Sequence, residues 1–153
     1  AIVNGLVVES IYTKAEAYAL ALFAAGQEWA SKQGLILVDT KYEFGMVDDE
    51  LIVIDEIHTP DSSRYWIASE YEKRFNERKN QNMLDKENIR QWLIERGFSG
   101  EGTPPVLTDE IRVTLAARYI ELYTQLTGNE FHPLLGDVKS RIERNLEKAG
   151  IYA

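Results

Sequence analysis

Apolar residues that recur at steps of three and four predict helices in the first and last parts of the chain. Residues that commonly begin or end helices stand at the boundaries of these segments: Gly34, Asp85, Thr108 and Gly128. The predicted helices cover residues 12–33, 85–96, 108–128 and 137–149. Because both ends of the chain are helical, any β-sheet has to come from the middle.

Two apolar runs after the first of these helices predict β-strands. They cover residues 35–44 and 51–57, and the short segment between them has the composition of a hairpin connection. Residues 70–81 are polar and weakly patterned, so a surface loop is predicted there. The expected fold class is α+β, with a hairpin or antiparallel sheet layer packed against several helices, and all 153 residues are expected to form a single domain.

Charged residues alternate at the end of the first predicted strand. Asp39, Lys41 and Glu43 share a parity, so the two-residue period of a strand sends them to one face. In a symmetric hairpin, the numbers of facing residues sum to about 96 to 98. An even sum places Glu43 across from Val53 or Asp55. We therefore expect the carboxylates of Glu43 and Asp55 to be direct or diagonal neighbours.

This charge pattern suggests a metal and phosphate site. Two neighbouring carboxylates repel each other unless a cation lies between them, and oxygen ligands of this kind suit Mg²⁺. Lys41 on the same face is suited to binding a phosphate oxygen as a point charge. The alternative is an exposed hairpin face covered with ion pairs, each contributing little to stability. The pattern alone leaves both interpretations open.

Two further segments carry groups suited to an anionic ligand. The loop TPDSSR offers hydroxyl groups and the planar guanidinium of Arg64, although a turn in which Asp61 and the serines cap backbone groups is the default explanation for the loop alone. Lys86 and Arg90 lie four residues apart at the border of an apolar helix face. From there they either reach into a cleft or extend over apolar surface into solvent.

The composition narrows the classes of function. A net charge of −8 and a pI of about 4.8 argue against a protein that binds nucleic acid or an anionic membrane. The absence of cysteine excludes disulfides, thiolate metal sites and cysteine nucleophiles, and it fits a reducing cytoplasm. No apolar run is long enough to span a bilayer. The chain begins at Ala1 without methionine, so we expect a piece or a processed product of a longer protein.

Three segments together resemble one enzyme family. LILVDTKYEFG, followed by IDEIHTPDSSRYW and then LDKENIRQWL, resembles the C-terminal half of SAICAR synthetase, in which the Asp-x-Lys-x-Glu-Phe-Gly run is a signature. The resemblance covers residues 22–92 and continues more loosely over residues 108–128. It implies an ATP-grasp-like domain without the N-terminal lobe that covers the nucleotide. Residues 129–153 would be a helical C-terminal extension.

The resemblance implies a cytoplasmic ligase of purine biosynthesis. In that family, ATP activates the carboxylate of carboxyaminoimidazole ribonucleotide (CAIR) as an acyl phosphate. L-Aspartate then forms the amide, which gives SAICAR, ADP and phosphate. The implied partners are these small molecules, without nucleic acid or membrane and with a homo-oligomer left open, and the implied cofactors are ATP and Mg²⁺. Alone, the chain is expected to bind the magnesium nucleotide weakly and not to turn over.

The resemblance also implies roles for individual residues. Glu43 and Asp55 would bind Mg²⁺ and, with Lys41, the nucleotide. Lys41 would also act in catalysis by balancing phosphate charge, and Asp39 would orient Lys41 or a substrate. The substrate-binding residues would be Asp61, Ser63, Arg64, Lys86 and Arg90. His58 stands where the family usually has an apolar residue, and no role is assigned to it.

Two other classes of function are left open. Inositol-phosphate kinases also use an Asp-x-Lys motif, but they have Pro four residues before the Asp and Gly two residues after the Lys. This chain has Leu35 and Glu43 at those places, which disfavours the kinase. The other class is a non-catalytic interaction or oligomerisation module whose long helix over residues 108–128 packs on a partner.

Overall fold

The computed structural model describes residues 5–84 and 86–151, apart from the side chains of Glu87 and Asn88. Its helices and strands follow one another as α1 Glu9–Lys32, β1 Leu35–Thr40, β2 Glu43–Val47, β3 Glu50–Ile54, β4 Ser63–Ile67, α2 Ala68–Asn76, α3 Glu87–Glu95, α4 Asp109–Thr127 and α5 Val138–Lys148. The predicted α+β class is therefore confirmed. None of the helices in the described ranges is long and apolar enough to cross a membrane.

The predicted helix boundaries are close to those of the structure where caps define them. The Thr108 side chain accepts a hydrogen bond from the Ile111 backbone N–H, and α4 ends at Gly128 in the left-handed conformation (φ 69°). Asp137 caps α5 in the same way. Asp85, predicted to cap the third helix, lies outside the described residues.

The first predicted strand is divided in two. β1 pairs antiparallel with β4, with a bulge between Leu37 and Asp39, whereas β2 pairs with β3. Between β1 and β2 the chain leaves both ladders, and the Lys41 backbone N–H donates to the carbonyl of Ser62. The prediction of one continuous strand over residues 35–44 is wrong because its first half pairs with a strand that lies far along the sequence.

The register of the predicted hairpin is also corrected. Asp48 and Asp49 form its turn, and both have positive φ (48° and 64°), as a two-residue hairpin turn requires. This turn gives facing residues an odd sum, so Glu43 faces Ile54 rather than Val53 or Asp55. Asp55 lies just beyond β3 in the left-handed region, with φ 64°.

Residues 70–81 contain a helix where a loop was predicted. α2 is stabilised by an aromatic stack, in which ring centroids are 5.7 Å apart between Trp66 and Tyr71 and 5.9 Å apart between Tyr71 and Phe75. An ion pair of 2.6 Å joins Arg74 to Glu70. The surface-loop prediction is wrong because contacts with β4 support a helix whose own apolar pattern is weak.

The buried core joins α1, α4 and the β1–β4 sheet. Its members are Ala30, Leu35, Leu37, Tyr65, Leu84 and Leu122. Behind this core, Gly26 of α1 lies directly against the ring of His58. A β-carbon at position 26 would be 2.4 Å from His58 Cε1 and 2.8 Å from Leu37 Cδ2. The absence of a side chain at Gly26 is therefore what lets the His58 loop approach the helix.

We expect Gly26→Ala to lower the free energy of unfolding by about 1–3 kcal/mol, because the added methyl group overpacks this contact. Alanine favours helix formation more than glycine, so helix propensity alone predicts the opposite sign. Urea unfolding followed by circular dichroism measures the difference. Ala24→Gly, at an exposed position of the same helix, is the control and should cost about 0.5–1 kcal/mol. An alanine variant as stable as the wild type would contradict the close contact.

Candidate functional site

A cleft of about 600 Å³ opens between the end of β1, the loop that leads into β4, and helix α3. Seven residues singled out in the sequence line it: Asp39, Lys41, Asp61, Ser63, Arg64, Lys86 and Arg90. Glu43 and Asp55 are not part of this lining but lie beside it, on Lys41. The lining combines four cationic side chains with three carboxylates, so the cleft is suited to an anionic ligand.

Asp39 and Arg64 face each other across the β1–β4 ladder at the bulge. Arg64 Nε donates to Asp39 Oδ1 at 2.8 Å, and a second guanidinium nitrogen donates to Asp39 Oδ2. This hydrogen bond lowers the pKa of the Asp39 carboxyl below its ordinary value, so Asp39 is ionised at neutral pH. The two-point contact orients the guanidinium plane. Asp39 thus contacts Arg64 directly, and the role that the resemblance implies for it, to orient Lys41 or a substrate, stays a prediction.

Lys41 brings together the two acids that the sequence predicted to be neighbours. Its Nζ lies 2.5 Å from Glu43 Oε1 and 3.6 Å from Asp55 Oδ2. The hydrogen bond to Glu43, with a smaller effect of Asp55, raises the pKa of Lys41. All three side chains are about half exposed, so these pairs contribute little to folding stability. They instead place one cation where two carboxylates converge.

The Glu43 and Asp55 pair fits the oxygen chemistry of Mg²⁺. Hard divalent cations bind carboxylate oxygens, and Mg²⁺ commonly uses one or two protein carboxylates together with substrate phosphates. Among the described residues, no group of three or more acidic or histidine side chains is arranged to hold a metal. Two carboxylates alone would leave most coordination positions of such a metal to other ligands.

The loop before β4 contains both a capped turn and side chains that face the cleft, the two arrangements that its sequence left open. Thr59 and Ser62 cap it: the Thr59 N–H donates to Ser62 Oγ at 3.2 Å, and the Ser62 N–H donates to Thr59 Oγ1 at 3.3 Å. Asp61 instead accepts from Lys86 Nζ at 2.9 Å, and this bond lowers the pKa of Asp61. Ser63 is buried, and its Oγ lies 2.9 Å from Thr40 Oγ1.

Helix α3 and Lys86, the residue directly before it, present basic side chains to the cleft. Lys86 and Arg90 line it together with the apolar residues Ile89 and Leu93. Lys86 is also tied to the opposite wall by its bond to Asp61. Of the two arrangements that the sequence left open, the structure has the one in which these cations reach a cleft.

Sequence reasoning missed Glu56 and the Tyr42–His58 pair. Glu56 lines the cleft, and its Oε2 accepts a hydrogen bond of 2.5 Å from Thr59 Oγ1. Its position directly after Asp55 is the feature of the sequence that could have indicated Glu56 as a site residue. Tyr42 Oη and His58 Nε2 lie 2.6 Å apart, and only the structure brings these distant residues together.

Comparison with known proteins identifies the family. The sequence model of the SAICAR synthetase family matches residues 1–105. The chain belongs to the SAICAR synthetase family. The phosphoribosylaminoimidazole-succinocarboxamide synthase of Cytophaga hutchinsonii is 52% identical over 149 residues, which are 95% of this chain and 48% of that protein. The chain thus spans about half the length of the curated relatives that it matches.

Solved SAICAR synthetase structures share the fold. SAICAR-synthase from Saccharomyces cerevisiae complexed with SAICAR is 33% identical, with a TM-score of 0.67 over 84% of this chain and 42% of that one. A type-2 SAICAR synthetase in complex with ADP is 27% identical, with a TM-score of 0.58 over 86% of this chain and 43% of that one. The resemblance seen in the sequence motifs is confirmed, which favours this family over the inositol-phosphate kinases.

We expect Lys41→Met to tighten binding of Mn²⁺, used as a probe for Mg²⁺, by about twofold to fivefold, because the ammonium group no longer competes for Glu43 and Asp55. Electron paramagnetic resonance of free Mn²⁺ measures the affinity for the purified chain. Lys32→Met is the matched control. Lys32 is equally exposed and forms a 2.7 Å ion pair with Glu28 on α1, so this variant loses the same charge away from the site. Equal affinities in the two variants would refute the competition.

Arg64→Met should raise the pKa of Asp39 toward its ordinary value of 3.8, because the charged hydrogen-bond donor is lost. In the wild type, the pair stabilises the fold fully above pH 3.8, and this contribution is lost as the pH falls through the lowered pKa. Carboxyl ¹³C shifts during an NMR pH titration report the pKa directly. Arg112→Gln, on the surface of α4, should leave the Asp39 titration unchanged. An unchanged Asp39 titration in Arg64→Met would contradict the assignment.

Proposed function

We propose that the chain is the C-terminal portion of a SAICAR synthetase that ligates L-aspartate to CAIR in de novo purine biosynthesis, with ATP converted to ADP and phosphate. The observation that carries the proposal is the convergence of Lys41, Arg64, Lys86 and Arg90 on one cleft. Two further findings support the proposal. The chain belongs to the SAICAR synthetase family, and two related structures are complexes with SAICAR and with ADP. A cytoplasmic location is part of the proposal, and a chain free of cysteine is compatible with it.

The ribonucleotide phosphate is assigned to the α3 side of the cleft. Arg64 offers a planar fork that its bond to Asp39 has already oriented, and Lys86 and Arg90 add positive charge from the helix. The buried hydroxyl of Ser63 lies at the same wall. A phosphate at this position gains charge-assisted hydrogen bonds from groups that are held in place before it binds. Asp61 is assigned to substrate binding as well, and its bond to Lys86 restrains that side chain at the cleft.

Lys41, Glu43 and Asp55 are assigned to the nucleotide. Glu43 and Asp55 would hold Mg²⁺, which when bound reduces the repulsion between the ATP phosphates and the CAIR carboxylate. Lys41 lies between this pair and the cleft, so its ammonium serves both sides. A cation at this position stabilises the negative charge that accumulates as the phosphoryl group approaches the carboxylate.

The ligation then needs no nucleophilic side chain. The CAIR carboxylate oxygen forms a bond to the γ-phosphorus of ATP, and the bond from that phosphorus to ADP breaks. The amine of L-aspartate next attacks the acyl carbon, phosphate leaves, and the amine loses a proton. Lys41 and Arg64 contribute charge stabilisation and alignment, the effects on which phosphoryl transfer mainly depends.

The proposal assigns only part of the complete site to this chain. It includes residues 1–153 as one domain, residues 129–153 as a helical extension, and a nucleotide-covering lobe supplied by the rest of a longer enzyme. Relatives of about twice the length support this division. The purified chain is therefore expected to bind the magnesium nucleotide weakly and to form no SAICAR. Steady SAICAR formation by the chain alone would refute this part.

The experiment for the whole proposal is a chimera. The chain replaces the matching segment of the Cytophaga hutchinsonii synthase, to which it is 52% identical, and SAICAR formation is followed with CAIR, ATP and L-aspartate. We expect activity from the chimera and a loss of about 10²-fold in kcat for Glu43→Gln and for Asp55→Asn, because each removes a carboxylate that would hold the Mg²⁺ needed to offset the phosphate charge. Glu50→Gln, an exposed acid at the far end of the same hairpin, is the control and should keep full activity.

Two results would overturn the proposal. An inactive but folded chimera would show that this chain does not complete the site of a SAICAR synthetase. Full activity in the Glu43 and Asp55 variants would favour the non-catalytic module instead.

A further inference from the structure

His58 joins three parts of the molecule behind the cleft. Its Nε2 lies 2.6 Å from the hydroxyl oxygen of Tyr42, and its ring lies against Gly26 of α1. Its carbonyl accepts a 2.7 Å hydrogen bond from the hydroxyl of Tyr65, a core residue of β4. The His58 backbone has φ 58°, a left-handed conformation that is unfavourable for most residues other than glycine. These contacts hold an unusual backbone conformation in the loop before β4.

The segments that His58 joins are those that carry the site. Tyr42 stands between Lys41 and Glu43, in the connection where the chain belongs to neither strand ladder. His58 follows Asp55 and Glu56 and precedes the capped turn of the β4 loop. The Tyr42–His58 contact ties these two segments together, alongside the backbone bond from Lys41 to Ser62 and the ion pair of Lys41 with Asp55.

The chemistry of the pair suits a fixed link. Burial lowers the pKa of His58 and raises the pKa of Tyr42, so a neutral imidazole faces a protonated phenol. In one tautomer the Tyr42 hydroxyl donates to Nε2, and in the other Nε2–H donates to the hydroxyl oxygen, so the two groups are hydrogen-bonded in either case. Neither side chain lines the cleft, so both act on a ligand only through their neighbours.

We propose that His58 is a positioning residue: its bond to Tyr42 holds the Lys41 segment against the loop before β4. The effect of His58 on catalysis rests on the proposed function. Its effect on the position of the Lys41 segment does not, because that is a property of the free chain. In this role His58 sets where the Lys41 ammonium stands relative to the cleft. A displacement of about 1 Å at such a group costs as much as 10²-fold in rate.

The first measurement uses the purified chain. Amide hydrogen exchange is followed at Lys41, whose N–H donates to Ser62, and at Ala68, whose N–H donates to Gly34 at the other end of the β1–β4 sheet. We expect His58→Leu to lower protection at Lys41 about tenfold more than at Ala68. His58→Gln, whose amide can replace the ring nitrogen as the partner of Tyr42, should restore most of the protection. His132→Leu is the matched control at an exposed histidine and should change neither amide.

The second measurement uses the active chimera. Both Tyr42→Phe and His58→Leu should lower kcat about tenfold and leave the KM for CAIR within about twofold, because the groups assigned to its phosphate lie elsewhere. The double variant should lose no more than either single variant, since both remove the same hydrogen bond. His58→Gln should recover most of kcat.

Distinct results overturn the two proposals. Equal loss of protection at Lys41 and Ala68, or independent losses that multiply in the double variant, would overturn the role of His58. A wild-type chimera that forms no SAICAR would overturn the proposed function, and the exchange comparison would still decide whether His58 positions Lys41.

Discussion

Arg64, Lys86 and Lys41, three of the cations that line the cleft, are held by carboxylates, and the candidate site depends on this pairing. Arg64 is held by Asp39 across a strand ladder, and Lys86 is held by Asp61 from the opposite wall. Lys41 is held by two acids of the β2–β3 hairpin. Exposed pairs of this kind stabilise a fold little. Their physical effect is to keep flexible cationic side chains close to one place before a ligand arrives.

This arrangement changes how an anionic ligand binds. A phosphate entering the cleft meets cations that are already paired with carboxylates. Each cation therefore has to give up its contact with a carboxylate to form a contact with the phosphate. The net affinity for the phosphate is therefore modest. The cleft is selective, because a ligand has to replace the carboxylate contacts of the cations that it binds. In a chain with a net charge of −8, local pairing also keeps the cleft from being dominated by the surrounding acids.

The helices other than α2, and the proximity of the two acids, could be predicted from the sequence, whereas the strand connections could not. Thr108 and Gly128 mark their helix because capping is local chemistry. Glu43 and Asp55 both lie on Lys41 although the predicted register was wrong, because Asp55 directly follows Ile54, the residue that faces Glu43. The division of the first strand depends on pairing with β4, and α2 depends on the stack of Tyr71 on Trp66. Such contacts between distant residues leave no local pattern.

Gly26 and His58 extend the same reasoning to the support of the site. A glycine in a helix usually costs stability, and a histidine with positive φ is uncommon, so each residue taken alone runs against local preference. Together they are complementary: the missing side chain makes room for the ring, and the ring reaches Tyr42 between two site residues. Residues at functional sites commonly adopt conformations that their local backbone preferences disfavour. The charged groups that line the cleft, apart from Glu56, were found from the sequence, whereas the groups behind it are identified only by how they pack.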